Sequence, residues 1–158
     1  EKTVSFENQS KTTFDLLLVI PPHKAPKALD GSGLSGETGW IPVDRETLKT
    51  RYENVYAIGD ITAIKLPNGM MLPKAGVFAE GQALVVAENI AAELSGHKET
   101  KTFDGNGSCF LEMGYGRAGY ASGNFYAEPA PEVHLKKPSR YWHWGKILFE
   151  KYWLWRWL

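Results

Sequence analysis

A single cysteine, Cys109, in 158 residues excludes an internal disulfide framework and fits a reducing compartment. Net charge is also missing. Eighteen Lys and Arg balance 18 Asp and Glu, which removes any global electrostatic case for a nucleic-acid partner. No secretory leader opens the chain and it does not begin with Met, so it reads as an excised or processed piece. Internal repeats are absent. His23, His97, His134 and His143 have no metal-ligand spacing, so no metal site is expected. No Ser-His-Asp arrangement is suggested either. Asn8-Gln9-Ser10 and Asn106-Gly107-Ser108 match the glycosylation pattern, but no secretory signal supports them.

What is present is a globular composition, 43% hydrophobic and 23% charged, in a chain long enough for one domain with a core. The zero net charge hides an asymmetry. From Lys136 to Leu158 there are six basic residues against Glu150 alone, a net +5 that the rest of the chain offsets with −5. Five of the six tryptophans lie in that same tail.

The pattern along the chain predicts these elements. Thr3-Val4-Ser5-Phe6 and the residues after Glu7-Asn8-Gln9-Ser10 form two strands and a turn. Phe14 to Ile20 is a continuous apolar run ended by Pro21-Pro22, expected to be a strand buried on both faces. Residues 23–39 form a loop. Within it Gly31-Ser32-Gly33-Leu34-Ser35-Gly36 matches the dinucleotide fingerprint literally. The match is rejected, because that fingerprint needs a strand before it and a helix after it to face a pyrophosphate. Pro67-Asn68-Gly69 marks a turn. A helix is expected over about 77–94, with Ala83, Val86, Ile90 and Leu94 on its apolar face and Gly96 as its stop. Ser108 to Met113 reads as a strand, with a paired strand around Tyr120 and Phe125-Tyr126. Pro129, Pro131 and Pro138 bound an extended connector, and the chain from Tyr141 onward reads as helical.

Val55-Tyr56-Ala57-Ile58 followed by Gly59-Asp60 reads as a buried strand with a tight turn at its C-terminal end. Ligands of open α/β sheets sit outside such strand ends, where an ionised acid can accept from sugar or ribityl hydroxyls. An ordinary Gly-Asp turn fits the six residues equally well. Upstream lie Gly39 to Asp44, then Thr47 to Thr50. Downstream, Leu72-Pro73-Lys74-Ala75-Gly76-Val77-Phe78-Ala79-Glu80-Gly81-Gln82 opens a helix whose first amides favour negative charge.

This order resembles the flavin-binding end of the pyridine nucleotide–disulfide oxidoreductases. The Pro-Lys-x-Gly...Glu-x-Gln run and the tail resemble sulfide:quinone oxidoreductase and the flavin subunit of flavocytochrome c sulfide dehydrogenase. The resemblance covers nearly all of this chain and only the C-terminal part of such an enzyme. It implies FAD as cofactor, with Asp60 on the ribityl chain and the backbone of Gly59 and Asp60 near the phosphates. It implies backbone contacts from Ala75, Gly76 and Val77, and Lys74 near the flavin or quinone. Gly107-Ser108-Cys109 with Glu112 and Gly114 resembles the segment that holds one of the two catalytic cysteines. Sulfide attacks a disulfide or persulfide there, and electrons pass to FAD. A cysteine in an apolar strand is otherwise a small core residue. One sulfur cannot complete the cycle alone.

In the tail, Tyr141, Trp144, Leu148, Tyr152 and Trp155 fall on one helical face. His143, Lys146 and Glu150 form a polar stripe, and Trp142, Phe149 and Trp153 widen the apolar surface. The segment is too short and too charged to span a bilayer. Aromatics beside Lys and Arg suit a membrane surface, and burial against the parent domain is the competing reading. By resemblance Phe149, Tyr152 and Trp153 would meet the quinone, and Trp155 the membrane.

The expected fold is α+β, with a short sheet, one central helix and C-terminal amphipathic helices. Residues 1–52 end a second nucleotide-like domain, 53–98 carry the FAD-side strand and helix, and 99–158 form the quinone and membrane-interface region. The resemblance implies a peripheral (monotopic) membrane oxidoreductase on the cytoplasmic face, with sulfide and quinone as substrates and scope for a homo-oligomer. Rival readings are a type II NADH:quinone oxidoreductase-like enzyme, which needs no cysteine, and a non-enzymatic membrane-attached interaction module.

Overall fold

The computed structural model describes residues 2–98 and 101–158. Strands β1 (Thr3–Ser5) and β2 (Lys11–Thr13) form an antiparallel hairpin, as their alternation predicts. Strands β3 (Ile41–Pro42) and β4 (Thr62–Ala63) make a short parallel pair. Between them a 3-10 turn at Gly59–Ile61 leads the chain toward helix α1 (Gly76–Leu94). Strands β5 (Asn106–Glu112), β6 (Ala118–Asn124) and β7 (Glu132–Ser139) form an antiparallel sheet in that order, and helix α2 (Arg140–Trp157) follows at once. The α+β expectation holds, with one C-terminal helix among the described residues rather than several.

The core joins Leu48, Ile64, Leu66, Leu72, Phe78, Val86 and Phe103. Phe78 is its centre. Its ring meets Phe103 edge-on at 6.2 Å and Phe125 at 5.0 Å between centroids. Gly107 makes this packing feasible, since a Cβ there would lie 2.3 Å from Phe78 Cε1. Gly107→Ala is therefore an overpacking substitution. It should cost about 1–3 kcal/mol, read as a lower denaturant midpoint.

Side-chain alternation along β5 gives each helix its own face. Gly107 meets Phe78 of α1, whereas Phe110 meets Gly145 and Phe149 of α2. Tyr120 on β6 stacks on Trp142, with centroids 4.7 Å apart and planes 10° apart. Ser139 caps α2, its Oγ accepting from the Trp142 amide at 3.3 Å. At the other helix's end, Gly96 takes a left-handed φ of 73° and its amide donates to the Glu93 carbonyl, which is the stop its position predicts.

Four expectations need correction. Residues 14–20 form no strand, and Leu18 and Ile20 are 86% and 88% exposed. A strand needs a hydrogen-bonded neighbour, and no described strand pairs with this run. Val55 to Ile58 is extended but carries a single bridge, Tyr56 to Lys49, so it is not a strand of a sheet. The buried face of α1 is Phe78, Gln82, Val86 and Asn89, while Leu94 is exposed. Two polar residues supply half of that face, so an apolar-only pattern misplaces it. The proline-bounded connector is β7, an edge strand, where the missing amide of Pro138 costs little.

The rejected glycine-rich match lies in irregular chain, with no helix opening after Gly36. The Pro67-Asn68-Gly69 turn closes a small hairpin, with the Gly69 amide donating to the Leu66 carbonyl. No helix among the described residues is long and apolar enough to cross a membrane.

Candidate functional site

Helix α1 starts without a side-chain cap. Ala75 supplies only its carbonyl, which accepts from the amides of Phe78 and Ala79. Among the described residues, the amides of Ala75, Gly76 and Val77 have no protein acceptor. A helix start with free amides is an anion-favouring surface, with the helix dipole adding to it.

The residues that bear these amides line a groove of about 690 Å³. Its floor is the free edge of β5, where Ser108, Cys109 and Phe110 lie, and its far wall is α2 through Lys146, Phe149 and Trp153. Cys109 is exposed, not a core residue. Phe110, Phe149 and Trp153 form a run of tilted rings, with successive centroids 6.1 and 5.8 Å apart. The volume and lining suit a flat, mostly apolar ring system.

A second, water-sized cleft of about 10 Å³ adjoins the helix start, lined by Gly59, Asp60, Pro73, Lys74, Ala75 and Gln82 among others. Gly59 turns with φ 72°, a conformation that favours glycine, and a Cβ there would press on Ala79 at 3.2 Å. Its amide donates to Oε1 of the buried Gln82 at 2.6 Å. Lys74 Nζ donates to the carbonyls of Asp60 and Thr62. Burial lowers the Lys74 pKa, and the charge of Asp60 opposes that shift. The Asp60 carboxylate stays on the exposed side of the turn.

Where β5 ends, Glu112 holds α2 in place. Its Oε1 lies 3.0 Å from His143 Nδ1 and 3.3 Å from Lys146 Nζ. The His143 hydrogen bond, with help from Lys146, keeps the carboxyl below its ordinary value of 4.5 despite some desolvation. For a carboxylate whose folded pKa is depressed, the linkage is complete above the ordinary value and is lost as pH falls through the lowered one. An acid titration should therefore show Trp142 fluorescence changing at a pH below 4.5, and Glu112→Gln should abolish that step.

The sequence-derived candidates fall into three groups. Ala75, Gly76, Val77, Cys109, Phe149 and Trp153 share the groove. Gly59, Asp60 and Lys74 line the adjoining cleft, with Ala75 common to both. Tyr152 and Trp155 lie outside the groove lining. Trp155 is 80% exposed and shares the outer face of α2 with Tyr141, Trp144 and Leu148. Phe110 and Tyr120 also line the groove and carry no site signal in the sequence, and Glu80 of the Glu-x-Gln run lines it too. The register of β6 on β5, which pairs Phe110 with Tyr120, has no local sequence signal. Gln82 was missed as a support. It stands in the Glu-x-Gln run and four positions after Phe78 on a helix, neither of which shows what its side chain holds.

No family model matches the chain. Curated relatives do. The chain is 32% identical over 117 residues to the mitochondrial sulfide:quinone oxidoreductase of Mus musculus, covering 73% of this chain and 25% of that protein. It is 31% identical to the mitochondrial sulfide:quinone oxidoreductase of Schizosaccharomyces pombe, covering 73% and 24%. It is 26% identical over 149 residues to the sulfide-quinone reductase of Aquifex aeolicus, covering 88% and 34%. The chain thus spans about a quarter to a third of the length of these relatives. In shape it matches a chain in the cryo-EM structure of the Tetrahymena thermophila mitochondrial ATP synthase. There the TM-score is 0.59 and the identity 26%, over 72% of this chain and 27% of that one.

Proposed function

We propose that this chain, which is sulfide:quinone oxidoreductase-like over most of its length, is the flavin-facing and quinone-facing part of a longer enzyme. That enzyme oxidises sulfide and passes two electrons through FAD to a membrane quinone. One observation carries the reading: a single groove is lined by Ala75, Gly76 and Val77 of the uncapped helix start, by the exposed Cys109, and by the aromatic wall of Phe149 and Trp153.

The residues fit FAD. Uncapped amides at the start of α1 suit the negatively charged pyrimidine side of a reduced flavin. Asp60, exposed at the turn after Ile58, offers acceptors to ribityl hydroxyls. When bound, the flavin supplies two-electron acceptance from sulfur and donation to quinone. The pyrophosphate fingerprint lies outside these residues, so this chain alone should hold FAD weakly.

Cys109 is the sulfur this chain contributes. Hydrosulfide attacks a disulfide between Cys109 and a cysteine from elsewhere in the longer protein, breaking the S–S bond into a persulfide and a thiolate. Phe149 packs on the quinone ring, with Trp153 beside it. Residues 1–52 would complete a second nucleotide-like domain.

Membrane attachment rests on α2. Tyr141, Trp144, Leu148 and Trp155 are each more than 60% exposed on one face, flanked by Arg140, Lys151 and Arg156. Amphipathic aromatic and basic surfaces of this kind settle at the headgroup level. Replacing Trp144 and Trp155 together by Ala should weaken partitioning onto anionic vesicles by at least about tenfold, roughly 1.4 kcal/mol. A vesicle co-sedimentation assay measures it.

The functional reading is tested on the full-length protein. Sulfide-dependent reduction of a soluble ubiquinone analogue is expected, with no NADH-dependent rate. NADH-driven quinone reduction without a sulfide rate would move the assignment to the NADH:quinone class.

A further inference from the structure

Trp40 stands in the Gly39 to Asp44 stretch, where the sequence gives it no role of its own, and lines neither cavity. It sits at the end of the loop that enters β3, yet its ring lies directly against the Lys74 ammonium, with Nζ 3.6 Å from the ring centroid. An ammonium has three donors and no acceptor. Here Nζ donates to the carbonyl of Asp60 and, at 3.3 Å, to that of Thr62. The indole face packs against the same ammonium. Two of its three donors are thus committed to the turn.

The two carbonyls bracket the end of the Gly59–Ile61 turn, and Lys74 itself stands two residues before α1. Buried Gln82 holds the front of the same turn through the Gly59 amide. The turn is thus tied at both ends to α1, once by the Gln82 side chain and once by the Lys74 ammonium just before the helix.

We infer that Trp40, acting through the Lys74 ammonium, locks the Gly59–Asp60 turn onto the entry of α1, and that this lock sets how long FAD is retained. Trp40 and Lys74 are positioning residues that act on FAD through the turn they hold. The inference rests on the flavin reading above, because the locked turn carries Asp60 and the locked helix start carries the free amides. The aromatic face is what matters at position 40, since a cation is held by the ring's negative face.

The experiment is a double-mutant cycle on the full-length flavoprotein, with FAD dissociation rate, quinone KM and thermal unfolding of the FAD-stripped protein as readouts. Trp40→Leu and Lys74→Met should each speed FAD loss by about tenfold, and the double variant should lose it no faster than the singles, as residues of one unit do. Trp40→Phe should return the rate to within about twofold of wild type, because the ring face is restored. Quinone KM should not change. Additive effects of the two single variants, or a raised quinone KM with unchanged FAD loss in Lys74→Met, would overturn the lock. A wild-type protein that holds no FAD would instead sink the flavin reading. Unfolding of the stripped protein then judges the lock alone: non-additive midpoints keep it and additive midpoints remove it.

Discussion

Phe78→Ala is expected to destabilise the protein by about 3–5 kcal/mol, the usual range for deleting a buried phenylalanine. The size follows from its position. The side chain is 4% exposed at the centre of the core cluster, with two aromatic rings against its edges. Gly107 sits beneath it and has no side chain that could move in to fill the space. The groove would suffer with the core, because Phe78 lies one residue after Val77 and forms the contact between α1 and β5. Urea unfolding measures the loss as a shift in midpoint at constant slope. The pair also couples. Gly107→Ala overpacks the site and a smaller residue at 78 makes room, so Phe78→Leu with Gly107→Ala should cost less than the sum of the two.

Where interactions are local, the chain spelled out its structure. Gly96 stops α1 and Pro67-Asn68-Gly69 turns a hairpin, because a left-handed φ or a fixed one is a property of the residue itself. The Gly59-Asp60 turn and the helix start at Gly76 were legible for the same reason. Phe14 to Ile20 was misread as a strand because pairing depends on a neighbour that no local pattern reveals. The buried face of α1 was misplaced because Gln82 and Asn89 are buried for their hydrogen bonds. Asn89 exchanges two with the backbone of Lys101, at 2.8 and 3.1 Å. Hydrophobicity does not record such demands. The groove was legible in parts: the helix start, Cys109 and Phe149 each carried a signal. Their meeting depends on β5 lying between two helices, which is a long-range outcome. Trp40 stood in the Gly39 to Asp44 stretch, but its partner was not legible, since a cation–π contact 34 positions away leaves no periodicity.

The largest chemical effect should come from Cys109→Ser. A serine oxygen neither forms nor leaves an S–S bond, so under the proposed function the sulfur pair that sulfide attacks is lost. A fall of at least about 10³-fold in sulfide-driven turnover, roughly 4 kcal/mol, is expected. The substitution removes no core packing, because Cys109 is exposed at the edge of β5. Flavin content and thermal stability should therefore stay close to those of wild type. This separates a chemical loss from a folding one, and it separates a sulfide enzyme from an NADH enzyme that has no use for the thiol.

The most direct measurement is an anaerobic titration of the full-length flavoprotein with sulfide, followed by flavin absorbance, for wild type and Cys109→Ser. Full bleaching in wild type and none in the variant, with both bleached by dithionite, is the result this account predicts. Equal bleaching of both proteins by sulfide would contradict it, because the groove would then pass electrons to the flavin without the sulfur that Cys109 provides.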